Sequence, residues 1–220
     1  MATEDTEVIA IDPQEPDPEA IQRAAEVVRD GGLVVLPTDT VYGLVCDPGR
    51  PAAVDRIYQI KGRPRELPLA LLLHDMAQVS AMIPDVPEAA VRAMQQFWPG
   101  PLTVVLPDRS PATAAVRAGK DTIGLRLPAH VVPRLVADTA GCPLASTSAN
   151  RSGRPAPATA EQVLRELPGL ARLVLDAGPA PGGRESTVLS FATDPPRVLR
   201  EGALPGWRLR EVLGEIQANS

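Results

Sequence analysis

The apolar stretches of this chain are short, and each runs straight into a polar loop: Leu33 to Leu36, Leu69 to Leu73, Leu102 to Leu106, Leu144 to Thr147 and Leu173 to Leu175. The 25 prolines are spread between these stretches rather than gathered into a linker. None of the stretches approaches the roughly 20 apolar residues that a membrane-spanning helix needs. Runs this short, rich in Leu and Val and bounded by Pro, Gly and Ser, read as buried strands whose ends present loops.

Helical spacing fills the intervals. Asp17-Pro18 supplies an N-cap and a first-turn proline, Ile21, Ala24, Ala25 and Val28 follow on one face, and Gly31-Gly32 closes the helix. The same reading predicts helices from Pro51 to Gly62, from Asp75, from Pro87 to Phe97, from His130 to Ala137, from Thr159 and from Trp207. Further strands are predicted at Glu7 to Ile11, Val41 to Cys46, Thr122 to Leu127, Thr187 to Phe191 and Arg197 to Arg200. About ten strands and six or seven helices in irregular alternation predict a single α/β domain with a mixed sheet.

Composition narrows the function. The chain's 220 residues can bury a sizeable core without disulfide or metal staples. Its 22 basic and 27 acidic side chains leave a net charge of -5, against a protein that mainly neutralises nucleic-acid phosphates. Aromatic residues make up 3%, which weakens any base-stacking RNA platform. Cys46 and Cys142 form no CxxC pair and read as buried small hydrophobes. The acidic start lacks the apolar region of a secretory signal, so a cytoplasmic protein with no membrane association is expected. Gly119-Lys120 is followed by Asp121, so there is no P-loop. There is likewise no GxGxxG, HExxH or GxSxG word.

Four polar loops remain, each beside an apolar strand or helix end. Pro37 to Gly43 is one. Lys61-Gly62-Arg63-Pro64-Arg65 places three cations in a stiff turn at a helix C-terminus, where they either complement the helix dipole or converge on an anion. Ser146-Thr147-Ser148-Ala149-Asn150 offers hydroxyls and backbone N–H groups to a phosphate or carboxylate, or is an ordinary capping turn. Gly182 to Thr187 is a glycine-rich entry to a strand. His130 reads as a packing or capping residue. Together the loops describe a cationic, hydroxyl-rich cleft suited to a triphosphate and a small carboxylate.

In this order the loops resemble the YrdC-like family of threonylcarbamoyl-AMP synthases. The matching words are Pro37-Thr38-Asp39-Thr40-Val41-Tyr42-Gly43-Leu44, Lys61-Gly62-Arg63-Pro64, Phe97-Trp98-Pro99-Gly100-Pro101-Leu102-Thr103 and Ile123-Gly124-Leu125-Arg126-Leu127-Pro128. Ser146 to Gly153, Glu185-Ser186-Thr187-Val188 and Val198-Leu199-Arg200-Glu201-Gly202 complete the series. The resemblance implies a twisted mixed parallel and antiparallel sheet with flanking helices and a concave ligand groove. It also implies synthesis of threonylcarbamoyl-AMP and pyrophosphate from L-threonine, bicarbonate and ATP, with Mg²⁺. The product would pass to downstream tRNA threonylcarbamoyltransferase machinery; direct tRNA binding by this chain is left open.

Carried over by motif position, Thr40, Arg126, Ser146 and Ser186 would hold threonine, with Arg126 pairing its carboxylate. Arg63, Thr122, Ser148, Asn150, Arg200 and the backbone of Ala156 would meet ATP. Lys61 and Arg63 would be the catalytic cations, with Lys61 facing the phosphates or bicarbonate. The chain departs from the family in two places. Leu67 stands where many members have Asn, and Leu72 where they have His; by strand alternation, His74 would point the same way as Leu72. The expected organisation is a tail over residues 1–6, a catalytic domain over 7–205 and a C-terminal helix and tail over 206–220, the short, TsaC-type form. The alternatives are a carbamoyl-transferring relative on the same fold and an RNA-binding module.

Overall fold

The computed structural model describes residues 6–169 and 171–218. Ten strands form one sheet: β1 (Glu7–Ala10), β2 (Val34–Leu36), β3 (Gly43–Cys46), β4 (Ala70–Leu72), β5 (Leu102–Pro107), β6 (Thr122–Arg126), β7 (Leu144–Ser148), β8 (Leu173–Asp176), β9 (Thr187–Ser190) and β10 (Arg197–Arg200). The helices are α1 (Pro18–Arg29), α2 (Pro51–Lys61), α3 (Ala77–Met82), α4 (Glu88–Phe97), α5 (Ala114–Arg117), α6 (Val131–Ala140), α7 (Ala160–Glu166) and α8 (Gly206–Leu213). Strand order is β1-β8-β2-β3-β7-β4-β6-β5-β9-β10. Parallel pairs (β1/β8, β2/β8, β4/β6, β5/β9) mix with antiparallel ones, as expected for a mixed sheet. The short α5 was not predicted; four residues are too few to show helical periodicity.

Alternation along the strands sorts side chains between two cores. Val34, Leu36, Val45, Leu72 and Leu144 pack under α1 and α6, with Ala24, Val28, Val132 and Val136. Val35, Leu44, Leu71, Val104 and Leu125 face the other way, towards Val54 and Ile57 of α2, Met94 of α4 and Leu209 of α8. Helix α8 therefore shares the main core rather than trailing from it. Local signals were sound where a cap decides the boundary. Asp17 Oδ1 accepts the Glu19 N–H at 2.9 Å at the start of α1, and Gly62 ends α2 in the left-handed conformation, φ 58°. His130 caps α6, its Nδ1 accepting the Val132 N–H at 3.2 Å.

The expected N-terminal tail falls on residues 1–5, outside the described residues, apart from Thr6, whose hydroxyl donates to Ala171 O at 2.9 Å. Residues 219–220 of the expected C-terminal tail also lie outside them. Among the described residues, no helix is long and apolar enough to cross a membrane.

Candidate active site

Helices α1 and α6 cover only part of their face of the sheet. Beyond them, the floor of an open groove is formed by alternate residues of the central strands: Ala70 and Leu72, Thr103 and Val105, Thr122, Gly124 and Arg126, Ser146 and Ser148. The odd-numbered residues of β6, Ile123 and Leu125, point into the opposite core. Gly124 lies where a Cβ would sit 3.3 Å from Thr103 Cγ2, so small side chains keep the floor low. The walls come from Thr38 to Gly43, Arg63 with Leu67 to Leu69, Lys120, Glu185-Ser186 and Leu199-Arg200.

Thr40, Arg63, Thr122, Arg126, Ser146, Ser148, Ser186 and Arg200, all predicted site residues, line this one groove. Thr38 organises the first wall. Its hydroxyl donates to Val41 O at 2.7 Å, and that uses its single proton. The 2.8 Å contact with Thr40 Oγ1 is therefore a bond that Thr40 donates. Arg126 is buried and each of its three nitrogens makes one bond: Nε to Gly100 O at 3.1 Å, Nη1 to Thr40 Oγ1 at 2.9 Å and Nη2 to Asp39 Oδ1 at 2.7 Å. Burial lowers the guanidinium's pKa, and the Asp39 charge works against that. The partner expected for Arg126 was a ligand carboxylate; within the fold its Nη2 bonds the carboxylate of Asp39. Asp39 Oδ1 also accepts the Ala129 N–H at 3.1 Å, whereas its buried Oδ2 has no partner among the described residues.

On the far wall, Arg200 Nη1 donates to Glu185 Oε2 at 2.8 Å, while Nε and Nη2 donate to Ser186 O at 3.2 and 3.0 Å. Ser186 Oγ is 2.8 Å from Thr103 Oγ1, which ties the wall to the floor. Gly202 makes this possible, since a Cβ there would lie 2.1 Å from Glu185 O. Arg63 Nε and Nη2 donate to Leu67 O and Pro68 O at 3.2 and 2.9 Å.

Three predicted site residues do not line the groove. Lys61 is 3% exposed, and its ammonium donates to Ser148 O, to Asn150 O at 2.6 Å and to Asn150 Oδ1 at 3.2 Å. In this structure it braces the loop after β7. Burial, with the Arg63 charge second, pulls its pKa down to about 8. Asn150 Nδ2 donates to Arg151 O at 3.1 Å and Arg154 O at 2.6 Å, so this side chain shapes the loop. Ala156 is half-buried farther along the same loop.

His74 lies on the α6 side of the sheet, as Leu72 does, but it does not line the groove. Strand β4 ends at Leu72, and beyond it the His74 imidazole turns to α6, with Nε2 3.8 Å from Asp138 Oδ1. Leu72 itself lines the groove while packing in the α1–α6 core. Burial holds the thiols of Cys46 and Cys142 up at about 12 and about 11, so neither is a nucleophile poised at neutral pH. Ala70, Thr103, Gly124, Lys120 and Glu185 were missed as groove residues. For the floor the signal was present: Thr122, Gly124 and Arg126 alternate with Ile123 and Leu125, polar or small on one face and apolar on the other.

The sequence profile of the Sua5/YciO/YrdC family, described as telomere recombination, matches residues 26–202. The chain belongs to that family. It is 38% identical over 197 residues to the threonylcarbamoyl-AMP synthase of Pyrococcus abyssi, covering 90% of this chain and 58% of that protein. It is 39% identical over 204 residues to the threonylcarbamoyl-AMP synthase of Bacillus subtilis, covering 92% and 59%. The Pyrococcus abyssi Sua5 structure in complex with L-threonine superposes with a TM-score of 0.93 at 36% identity, over 97% of this chain and 63% of that one. The chain thus spans less than two thirds of the length of these Sua5/YciO/YrdC relatives, and over that span it shares their mixed sheet.

Proposed function

We propose that this chain is an L-threonylcarbamoyladenylate synthase, a nucleotidyltransferase that joins L-threonine, bicarbonate and ATP. The observation that carries the reading is the single groove in which Thr40, Ser146 and Ser186 lie on one floor and wall with Arg63, Thr122 and Arg200. Small hydroxyls suit an amino acid with a short polar side chain, and the arginines suit phosphate oxygens. Support comes from a relative of the same fold that was solved with L-threonine bound.

The chemistry needs positioning more than a covalent nucleophile. Threonine's amine adds to bicarbonate and water leaves, giving a carbamate. A carbamate oxygen then attacks the α-phosphorus, and the α–β bridging oxygen departs with the bond's electron pair on pyrophosphate. Holding two anions together and meeting the charge on the leaving group is work for fixed cations and hydroxyls. Lys61 contributes at one remove, by fixing the carbonyls of Ser148 and Asn150.

Mg²⁺ would arrive with the nucleotide. Among the described residues, no cluster of three or more carboxylate, imidazole or thiol side chains could hold an ion by itself. An ion there would be held mainly by phosphate oxygens and water, with Glu185, whose Oε2 accepts from Arg200, as the carboxylate on the wall. Bound there, it would offset phosphate charge. The product would then serve tRNA threonylcarbamoylation by other enzymes.

The test is pyrophosphate release from ATP by the purified chain. Release should require L-threonine and bicarbonate together, with serine poorer by at most about 10- to 200-fold for its missing methyl group. Turnover supported by carbamoyl phosphate and indifferent to threonine would replace this reading with carbamoyl transfer.

A further inference from the structure

The 22 basic residues include only two lysines, Lys61 and Lys120, and their settings are opposite. Lys61 is buried and bonded to three oxygens. Lys120 is exposed and lines the groove, and among the described residues its ammonium has no hydrogen-bond or ion-pair partner. The arginines of the same groove are engaged: Arg126 with Asp39, Arg200 with Glu185, and Arg63 with the carbonyls of Leu67 and Pro68. Lys120 is thus the one groove cation that, among the described residues, has neither a hydrogen-bond nor an ion-pair partner.

Its position is built. Helix α5 ends in two successive left-handed residues, Ala118 at φ 53° and Gly119 at φ 75°. Among the described residues, Ala118 is the one non-glycine with positive φ, a conformation that a Cβ disfavours. Buried Arg117 holds the turn from behind. Its carbonyl accepts the Lys120 N–H at 3.1 Å, and its guanidinium donates to Lys120 O and, at 3.1 Å, to Ser110 O. That guanidinium is in turn held 3.4 Å from the buried carboxylate of Asp108. The result projects Lys120 two residues ahead of Thr122, which also lines the groove.

From this geometry we propose that Lys120 binds the terminal phosphates of the nucleoside triphosphate and the pyrophosphate released from them. The assignment rests on the synthase reading for its substrate, and on the groove alone for its anion. A compact ammonium on a flexible stem can stay with a phosphate that moves, as a leaving group must. A guanidinium already fixed to a carboxylate cannot follow it in the same way.

The test titrates inorganic pyrophosphate, AMP and L-threonine calorimetrically into the wild type, Lys120→Met and Lys120→Arg. Lys120→Met should weaken pyrophosphate about 10-fold or more and leave AMP and threonine unchanged, with Lys120→Arg recovering most of the loss. The melting temperature of Lys120→Met should match the wild type, since among the described residues the exposed side chain has no hydrogen-bond or ion-pair partner to lose. Equal pyrophosphate affinity in wild type and Lys120→Met, or no pyrophosphate binding to the wild type, would overturn the proposal. A wild type that binds pyrophosphate through Lys120 yet makes no threonylcarbamoyl-AMP would sink the synthase reading and leave the subsite standing.

Discussion

The ammonium of Lys61 donates to the backbone carbonyl of Asn150 at 2.6 Å, across 89 positions of the chain. A cation at the end of α2 thereby sets the shape of the loop that follows β7, next to Ser148, the last residue of that strand and part of the groove floor.

Lys61→Met should leave the carbonyls of Ser148 and Asn150 buried without their donor, a loss of about 1–3 kcal/mol measurable by urea unfolding. The effect has a pH signature. Below about 8, both folded and unfolded chains carry the Lys61 proton; between about 8 and the ordinary value of 10.5, the unfolded chain holds a proton that the folded chain has released. Stability therefore rises with pH across that window. The wild type should gain on Lys61→Met from about pH 8 to 10.5, and a pH-independent gap would mean that the ammonium is solvated.

Asp39→Asn removes the charge that compensates buried Arg126, while keeping an oxygen within reach of Nη2. Breaking a buried pair from one side costs about 3–5 kcal/mol, somewhat less where an amide oxygen still accepts. A melting temperature equal to the wild type would show that the pair contributes little and that Arg126 is held by Gly100 and Thr40 alone.

Leu72→His puts an imidazole where the α1–α6 core offers Val45 and Leu144 as neighbours. A loss of about 1–3 kcal/mol is expected for a polar ring without a partner. Threonine titration of the same variant shows whether the ring turns to the groove instead; tighter binding with an unchanged melting temperature would contradict the core assignment.

Arg63→Ala should reduce adenylate synthesis by about 30- to 1000-fold, the loss expected for a charged hydrogen bond that strengthens in the transition state. Because Arg63 is half-buried on the wall, its unfolding midpoint should barely move. Near-normal turnover in the folded variant would take the turn from Lys61 to Pro64 out of the active site.

The positions of the strands along the chain, most helix boundaries and the groove loops were legible because short apolar runs, capping residues and glycines act locally, whereas the order of the strands in the sheet depends on distant pairings. Lys61 was not. Its neighbours in sequence are the same whether it projects to solvent or turns inward, and its partners lie 87 and 89 residues away. Arg126 was found as a groove residue, but Asp39 as its partner was hidden for the same reason. Lys120 was read only as a failed P-loop lysine, and its aim depends on a left-handed alanine that no spacing rule reveals.

The floor of the groove belongs to strands paired on both sides within the sheet, β7, β4, β6 and β5. Its walls are mostly loops, some held by single side chains such as Arg117 behind Lys120 and Arg200 beside Glu185 and Ser186. Amide hydrogens of the floor can exchange with solvent only when the whole sheet opens, whereas those of the walls need a local break. On the synthase reading, substrate entry and product escape would therefore fall to the walls, while the surface on which the reactants meet would keep its shape.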